Sequence, residues 1–224
     1  MGRLVQEWQN EPPHIYLDSP TVADGAVFIG TDGGYIYKLN LANGRKLHQT
    51  YLGFQPTKTC GKFGTVDTAT VATDPGDHQP TLYVAGANGY LYALDAVNLK
   101  VKWKPVIAIP SATVSNYFDW SSPTVTHGKI YIGVSSNCDQ PLIRGEVIGF
   151  DAATGKQFAH FYTVPPGHVG GSIWSSVAVA PDGDVFATTG NGPAGDQLLG
   201  YSESILKLSP RLRLLAGFRC RRRR

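Results

Sequence analysis

A pattern of short strands recurs four times along this chain and limits the folds open to it. The copies begin at Ser19, Thr68, Ser122 and Ser176, at intervals of 49, 54 and 54 residues. In each copy, runs of β-branched and aromatic residues are separated by turns such as Ala23-Asp24-Gly25 and Pro181-Asp182-Gly183. The pattern predicts four strands per copy.

A single four-stranded sheet with one apolar face cannot bury that face alone, so the copies must pack against one another. Radial packing predicts an all-β fold, a β-propeller of four-stranded antiparallel blades with about four blades present, as a partial or half ring. A pair of β-sandwiches is the alternative, but it would not demand the same strand order four times. The predicted propeller covers residues 1–210, with blades near 15–55, 64–108, 118–164 and 172–210.

The charge is unevenly distributed. The net charge is +3, but seven arginines lie in the last fourteen residues, and without them 13 basic side chains face 17 acidic ones, a net charge of −4. Residues 211–224 are therefore predicted to be a basic tail, non-native or disordered, and no nucleic-acid partner is inferred from it. No apolar run approaches the roughly 20 residues that span a membrane, and the first eight residues lack the apolar core of a signal peptide.

Two segments carry a recognisable motif. Gly89-Tyr90-Leu91-Tyr92-Ala93-Leu94-Asp95, followed by Trp103, and Phe150-Asp151-Ala152-Ala153-Thr154-Gly155-Lys156 resemble the pyrroloquinoline-quinone-like, or quinoprotein-type, repeat. In that family the stretch Ala-x-Asp-x-x-Thr-Gly-x-x-x-Trp docks a tryptophan between neighbouring blades. The resemblance implies this role for Trp103 and Trp8, whereas His48 and Ala159 stand in the equivalent places and indicate an eroded motif.

The resemblance implies more blades than the repeat count. Quinoprotein-type propellers usually have seven or eight blades, so four blades correspond to a fragment, to a homodimer joined through open blade edges, or to a closed four-bladed ring. It also implies a periplasmic or extracellular protein with a small-molecule or protein ligand at the propeller face.

Candidate site residues precede the innermost strand of each copy, where propellers bind ligands. Asp18, Asp67, Asp119-Trp120 and Trp174-Ser175 would converge at one mouth of the channel. One interpretation is an aromatic platform for a quinone with oxygen ligands for Ca²⁺. The other is that the tryptophans pack between blades and the aspartates bind backbone amides in turns.

The resemblance implies pyrroloquinoline quinone and Ca²⁺ as cofactors. The predicted roles are distributed as follows: Asp119 and Asp67 as catalytic bases; Trp120, Trp174, Arg144 and Asp18 as cofactor-binding residues; and Asp67, Asp119 and Asn191 as metal ligands.

Two loops between strands supply the remaining candidates. Arg144 ends the insertion 135–145 in the third copy and suits a carboxylate of a quinone or substrate, with a surface salt bridge as the alternative. Asn191 lies in the matching loop 190–196 of the fourth copy. Glu146 and Glu203 begin corresponding strands, and a structural role is predicted for both.

The spacing of the three cysteines gives no signal for a zinc site or for covalently bound haem. Cys60 and Cys138 lie in loops and form either a disulfide or two free thiols, while Cys220 lies in the basic tail. The chain has no Cys-x-x-Cys and no Cys-x-x-Cys-His, so neither zinc nor covalently bound haem is predicted. The adjacent Cys-Cys pair common in quinone-dependent alcohol dehydrogenases is also missing.

Three functions follow from these observations. The first is part of a dehydrogenase similar to quinone-dependent alcohol dehydrogenases, with an aspartate base and Ca²⁺ polarising the quinone. The second is a non-catalytic binding or scaffold propeller of the bacterial envelope. The third is a Ca²⁺-dependent propeller hydrolase or lactonase.

Overall fold

The computed structural model describes residues 5–11, 13–55, 61, 63–107, 116–193 and 199–219. Within these ranges it contains 17 β-strands and no α-helix. Accordingly, no helix among the described residues has the length and apolarity needed to cross a membrane.

The strands form four antiparallel sheets, numbered here as blades 1 to 4 in chain order. Blade 1 contains β1 (Thr21–Ala23), β2 (Ala26–Gly30), β3 (Tyr35–Asn40) and β4 (Lys46–Tyr51). Blade 2 contains β5 (Thr70–Thr73), β6 (Pro80–Gly86), β7 (Tyr90–Asp95) and β8 (Val101–Trp103). Blade 3 contains β10 (Thr124–Thr126), β11 (Lys129–Ser136), β12 (Glu146–Asp151) and β13 (Gln157–Tyr162), with β9 (Tyr117–Phe118) added at the end of β11. Blade 4 contains β14 (Ala178–Val179), β15 (Val185–Thr188), β16 (Ser204–Leu208) and β17 (Leu214–Arg219).

The blades follow one another in chain order. The innermost strands contact their neighbours in order, β1 with β5, β5 with β10, and β10 with β14. The predicted all-β propeller with four blades is therefore confirmed.

The fourth blade extends past the boundary predicted at residue 210. Strand β17 pairs with β16, with Ser204 opposite Arg219 and Lys207 opposite Ala216, so residues up to 219 belong to the sheet rather than to a disordered tail. The arginines obscured the apolar residues of this strand, because an outer strand tolerates charged side chains on its solvated positions. Residues 220–224 lie outside the described residues.

Hydroxyl groups at the start of each repeat connect adjacent blades. The backbone N–H of Ser19 donates to Thr68 Oγ1 at 3.2 Å, that of Thr68 to Ser122 Oγ at 2.9 Å, and that of Ser122 to Ser176 Oγ at 3.0 Å. The Ser/Thr residues that marked the repeat in the sequence are thus its inter-blade hydrogen-bond acceptors.

Of the five apolar clusters in the described core, three join neighbouring blades. One joins Phe28 of blade 1 to Leu82 of blade 2, a second joins Tyr83 of blade 2 to Phe150 of blade 3, and a third packs blade 3 against Leu206 of blade 4. Because each blade buries both faces only between two neighbours, the interfaces hold the fold together.

Tryptophans dock on glycines at two corners where a third strand turns into an outer strand. A Cβ atom added to Gly44 would lie 2.5 Å from Trp8 Cε3, and one added to Gly155 would lie 2.5 Å from Trp103 Cε3. Both glycines have φ of +68°, a left-handed conformation that glycine adopts without a steric penalty. The docking predicted for Trp8 and Trp103 is present.

The two other corners use the opposite arrangement. Leu99 and Leu212 stand at the corners of blades 2 and 4, both with φ of +57° and both buried. The outer-strand residues of the preceding blades at the tryptophan position are His48 and Ala159, by the registers of β4 and β13. The motif is therefore not simply eroded there, because a leucine on the corner fills space that a tryptophan fills elsewhere.

Candidate functional site

The residues before the innermost strands hold the adjacent strand in place. Asp18 Oδ2 accepts a hydrogen bond from the Gly30 N–H at 2.7 Å, and Asp67 Oδ2 accepts one from the Ala85 N–H at 2.9 Å. In blade 3 the equivalent acceptor is Ser121 Oγ. Asp18 and Asp67 therefore each bind a backbone amide through one oxygen, but the amides belong to strands β2 and β6 and not to turns.

Three aspartates have a carboxyl oxygen that no other group contacts by a hydrogen bond. Asp18 Oδ1, Asp67 Oδ1 and Asp119 Oδ1 are all buried without a hydrogen-bond partner. A buried polar atom left without a partner costs roughly 1–3 kcal/mol, so a water, an ion or a ligand group is expected beside such atoms.

The carboxyl groups form a continuous acidic series. Burial raises the pKa of Asp67 well above its ordinary value, and the nearby Asp18 and Asp119 raise it further. Burial likewise raises the pKa of Asp119, with Glu146 adding to the shift, and raises the pKa of Asp18 to about 7. Asp67 and Asp119 are only 1% and 4% exposed, so burial favours their neutral form unless a cation compensates their charge.

Glu146 belongs to this series, although the sequence predicted a structural role for it. It is buried at the start of β12, and burial raises its pKa to about 7, while a hydrogen bond from Tyr162 and the charge of Arg144 act in the opposite direction. The sequence offered no signal for this placement, because the proximity of Glu146 to Asp119 arises from the fold.

The two predicted tryptophans come together. The ring centroids of Trp120 and Trp174 are 6.0 Å apart at an angle of 33°, and Trp120 also contacts Phe63 and Phe118. The Nε1 atom of Trp120 is buried without a partner. The arrangement is an aromatic surface of two tilted rings, both partly exposed.

Arg144 lies in the loop before β12 of blade 3, and Asn191 lies between β15 and β16 of blade 4. The Arg144 Nε donates to the Val164 carbonyl at 2.8 Å, and its guanidinium lies 3.8 Å from the centre of the Tyr162 ring. Arg144 forms a parallel β-bridge with Gly170. The backbone carbonyl of Asn191 accepts a hydrogen bond from the N–H of Gly171, the residue after Gly170. The structure therefore places both residues against one glycine segment.

Asn137 is a buried polar residue that sequence reasoning did not single out. It follows β11 in the insertion of blade 3, is buried, and has neither amide atom in a hydrogen bond. A buried, unpartnered amide is costly, so this residue joins the aspartate oxygens as a potential ligand. Its position at the start of the long insertion was the only available signal.

The described residues contain no group of three or more His, Cys, Asp and Glu side chains arranged to hold a metal. A cation site here would therefore depend on amide or backbone oxygens as well as carboxylates. Cys138 is disulfide-bonded, which settles one of the two alternatives for this residue. Its predicted partner, Cys60, lies outside the described residues.

Comparisons with known proteins agree with the fold. Residues 65–200 match the PQQ_2 family, described as outer membrane protein assembly factor BamB. The quinohemoprotein alcohol dehydrogenase ADH IIB of Pseudomonas putida is 27% identical over 86% of this chain and 31% of its own length. The lupanine 17-hydroxylase [cytochrome c] of a Pseudomonas species is 31% identical over 66% of this chain and 21% of its own length.

Among solved structures, the quinohemoprotein alcohol dehydrogenase of Comamonas testosteroni has a TM-score of 0.74 at 19% identity, covering 92% of this chain and 35% of that one. BamB of Moraxella catarrhalis has a TM-score of 0.58 at 16% identity, covering 96% of this chain and 67% of that one. The chain spans about a third or less of the length of ADH IIB and of the lupanine 17-hydroxylase. Because the family match covers more than half of its residues, the chain belongs to the PQQ_2 family of quinoprotein-like β-propeller repeats.

Proposed function

We propose that this chain forms part of a quinone-dependent alcohol dehydrogenase and supplies one side of its cofactor site. Two observations support the proposal: the Trp120 and Trp174 ring centroids lie 6.0 Å apart, and Asp119, the residue before Trp120, has a buried carboxyl oxygen without a hydrogen-bond partner. A planar, anionic quinone fits an aromatic surface, and the quinohemoprotein alcohol dehydrogenases among its relatives support this class of reaction.

The site residues fit a hard cation in the kind of atoms they offer. Asp67 Oδ1, Asp119 Oδ1 and Asn137 Oδ1 are buried oxygens without partners, and Ca²⁺ takes oxygen ligands. Asn191 is a second proposed amide ligand, in addition to Asn137. Quinone, when bound, would accept a hydride, that is two electrons and one proton, from the alcohol carbon.

The role proposed for Asp119 is to accept the hydroxyl proton of the alcohol. Its pKa is raised by burial and by Glu146, so the free site favours the neutral carboxyl group. A nearby cation lowers such a pKa and leaves the carboxylate ionised, which makes it competent as a base. Arg144 would orient a quinone carboxylate through the guanidinium N–H groups other than Nε.

The test is binding of pyrroloquinoline quinone to the full chain with Ca²⁺ present, followed by tryptophan fluorescence and calorimetry. We expect Trp174→Ala and Asp119→Asn to weaken binding by at least about tenfold, or about 1.4 kcal/mol. Trp103→Phe is the matched control, because Trp103 docks on Gly155 between blades. Equal binding by all three variants, or no binding by the wild-type chain, would contradict the proposal.

The two candidate amides can be separated in the same assay. Loss of Ca²⁺-dependent binding in Asn137→Ala but not in Asn191→Ala would assign the ligand role to Asn137, and the reverse result would assign it to Asn191. We also propose an envelope location, supported by the disulfide of Cys138, since disulfides persist in oxidising compartments.

A second candidate function is protein binding in outer-membrane assembly. The match to the family of the outer membrane protein assembly factor BamB supports it, and so do the exposed outer strands, such as β4 with Leu47 and Tyr51 exposed. A chain that bound no quinone, but bound a purified assembly partner in a manner abolished by Leu47→Asp, would support this function over the first.

A further inference from the structure

A cavity of about 270 Å³ lies between blade 2 and blade 3. Blade 2 contributes Val106 and Ile107, which follow β8, and β9 contributes Tyr117. The remaining walls come from β12 and β13 of blade 3 and include Glu146 and Tyr162. We refer to this space as the blade 2–3 cavity.

The strand register explains why these side chains of blade 3 line one cavity. Glu146 pairs with Tyr162 and Ile148 pairs with His160, and side chains of directly paired residues lie on the same side of a sheet. Ile148 packs in the apolar cluster that joins blades 2 and 3, together with Ile107. The Glu146 side chain therefore lies on the side of blade 3 that faces blade 2, next to an apolar surface.

The repeat shows that glutamate is an exception at this position. The third strands of blades 1 to 3 each have six residues and end at an Asn or Asp, and they begin with Tyr35, Tyr90 and Glu146 respectively. The Tyr35 ring packs with the rings of three neighbours, and the Tyr90 ring packs with Tyr92. A shorter, ionisable side chain in place of a tyrosine leaves space in blade 3 and places an acid beside that space.

The charge of Arg144 does not compensate for the burial of Glu146. Glu146 is 8% exposed, and burial raises its pKa to about 7, whereas the Tyr162 hydrogen bond and the Arg144 charge lower this pKa by less. Burying a carboxylate is costly unless opposite charge and hydrogen bonds compensate it. A cation in the cavity would supply that compensation.

Three aromatic side chains line the cavity in addition to Glu146, namely Tyr117, His160 and Tyr162. The His160 and Tyr162 ring centroids are 4.9 Å apart. The Arg144 guanidinium lies 3.8 Å from the centre of the Tyr162 ring, so this ring already contacts one cation. Aromatic faces attract cations at distances up to about 6 Å. The cavity thus combines a carboxyl group with aromatic rings, which suits an organic ammonium ion.

The apolar wall and the volume restrict the rest of the ligand. Val106, Ile107 and Ile148 line the cavity with hydrocarbon side chains, which favour an alkyl group over a second charge. An apolar cavity of about 150 Å³ accommodates benzene, and sites for drug-sized ligands begin at about 300 Å³. The ligand is therefore a small molecule with one charged end.

We propose that the blade 2–3 cavity binds a small primary alkylammonium ion, whose ammonium group contacts Glu146 and whose alkyl chain lies against Ile107 and Ile148. Hydrogen bonds from an ammonium group to a carboxylate are about twice as strong as neutral ones, so a neutral alcohol of the same shape should bind more weakly. The proposal does not rest on quinone binding, because Trp120 and Trp174 are not among the described residues that line the cavity.

The test is isothermal titration calorimetry of the full chain with n-butylammonium chloride and n-butanol as matched probes. At pH 8 the Glu146 carboxyl group, with a pKa of about 7, is largely ionised. We expect the dissociation constant of n-butylammonium to be at least about tenfold below that of n-butanol. A smaller ratio, or no binding of n-butylammonium at millimolar concentrations, would overturn the proposal.

Variants of Glu146 locate the bound ion. Glu146→Gln removes the charge and keeps the size, so it should weaken n-butylammonium binding at least about tenfold and change n-butanol binding by less than about twofold. Glu146→Tyr introduces the residue found in blades 1 and 2, and by filling the cavity it should abolish binding of both probes.

The matched control is Glu7→Gln, which makes the same change in charge at an exposed position and should bind both probes like the wild type. Thermal melting checks that every variant is folded. If a folded Glu146→Gln or Glu146→Tyr chain binds n-butylammonium as tightly as the wild type, the ion binds elsewhere and the proposal is wrong.

Discussion

The pairing of outer-strand and corner residues predicts strong energetic coupling between Trp103 and Gly155. Trp103 is partly buried between blades 2 and 3, and its indole nitrogen has no hydrogen-bond partner, so its contribution comes from packing. Truncation of a fully buried tryptophan costs about 3–5 kcal/mol, and partial exposure reduces the expected cost of Trp103→Ala to about 2–3 kcal/mol.

The corner variant is expected to destabilise the wild-type chain for the opposite reason. In Gly155→Leu the new Cβ would lie 2.5 Å from Trp103 Cε3, so the indole must shift. Overpacking of this kind costs about 1–3 kcal/mol. The backbone itself tolerates leucine here, because Leu99 and Leu212 adopt φ of +57° at the equivalent corners.

The double variant should recover much of the loss, since leucine then fills the space left by the indole. We expect Trp103→Ala/Gly155→Leu to be destabilised by about 1–2 kcal/mol, with a coupling energy of at least about 2 kcal/mol. Urea unfolding of the four proteins measures this cycle. The converse exchange, His48→Trp/Leu99→Gly, is the matched control between blades 1 and 2. Additivity of the single variants within about 0.5 kcal/mol would refute the complementarity of outer-strand and corner residues.

Three further predictions concern the acidic series and the inter-blade hydrogen bonds. Because burial raises the pKa of Glu146 from 4.5 to about 7, the folded state binds its proton more tightly than the unfolded state, so the free energy of unfolding should fall by up to about 3 kcal/mol between pH 4 and pH 7 in cation-free buffer, and Glu146→Gln should flatten this slope. Since the charge of Arg144 lowers that pKa, Arg144→Ala should raise it further, as carboxyl NMR titration would show, and an unchanged midpoint would exclude this electrostatic contact. Ser122→Ala removes the acceptor of the Thr68 N–H and should destabilise the chain by about 1–3 kcal/mol in urea unfolding, with an unchanged midpoint showing that solvent replaces the bond.

Several site residues were predictable because the repeat fixes their place in a blade. Asp18, Asp67 and Trp174 stand just before an innermost strand, and a propeller brings these positions to one end of its channel. Their adjacency, including the contact between Trp120 and Trp174, follows once the strand order is known. Their roles in catalysis and cofactor binding remain predictions.

The sequence by itself determined the blade pattern, since alternating polarity and regularly spaced turns are local properties of the chain. Only the tertiary structure decided that Glu146 lies beside Asp119 and that Asn137 is buried without a partner, because these depend on distances between segments. It also decided that the last repeat continues to Arg219, where cross-strand pairing outweighs a high local charge. The match of Leu99 and Leu212 to their neighbours was likewise hidden, since packing complementarity exists only between blades in contact.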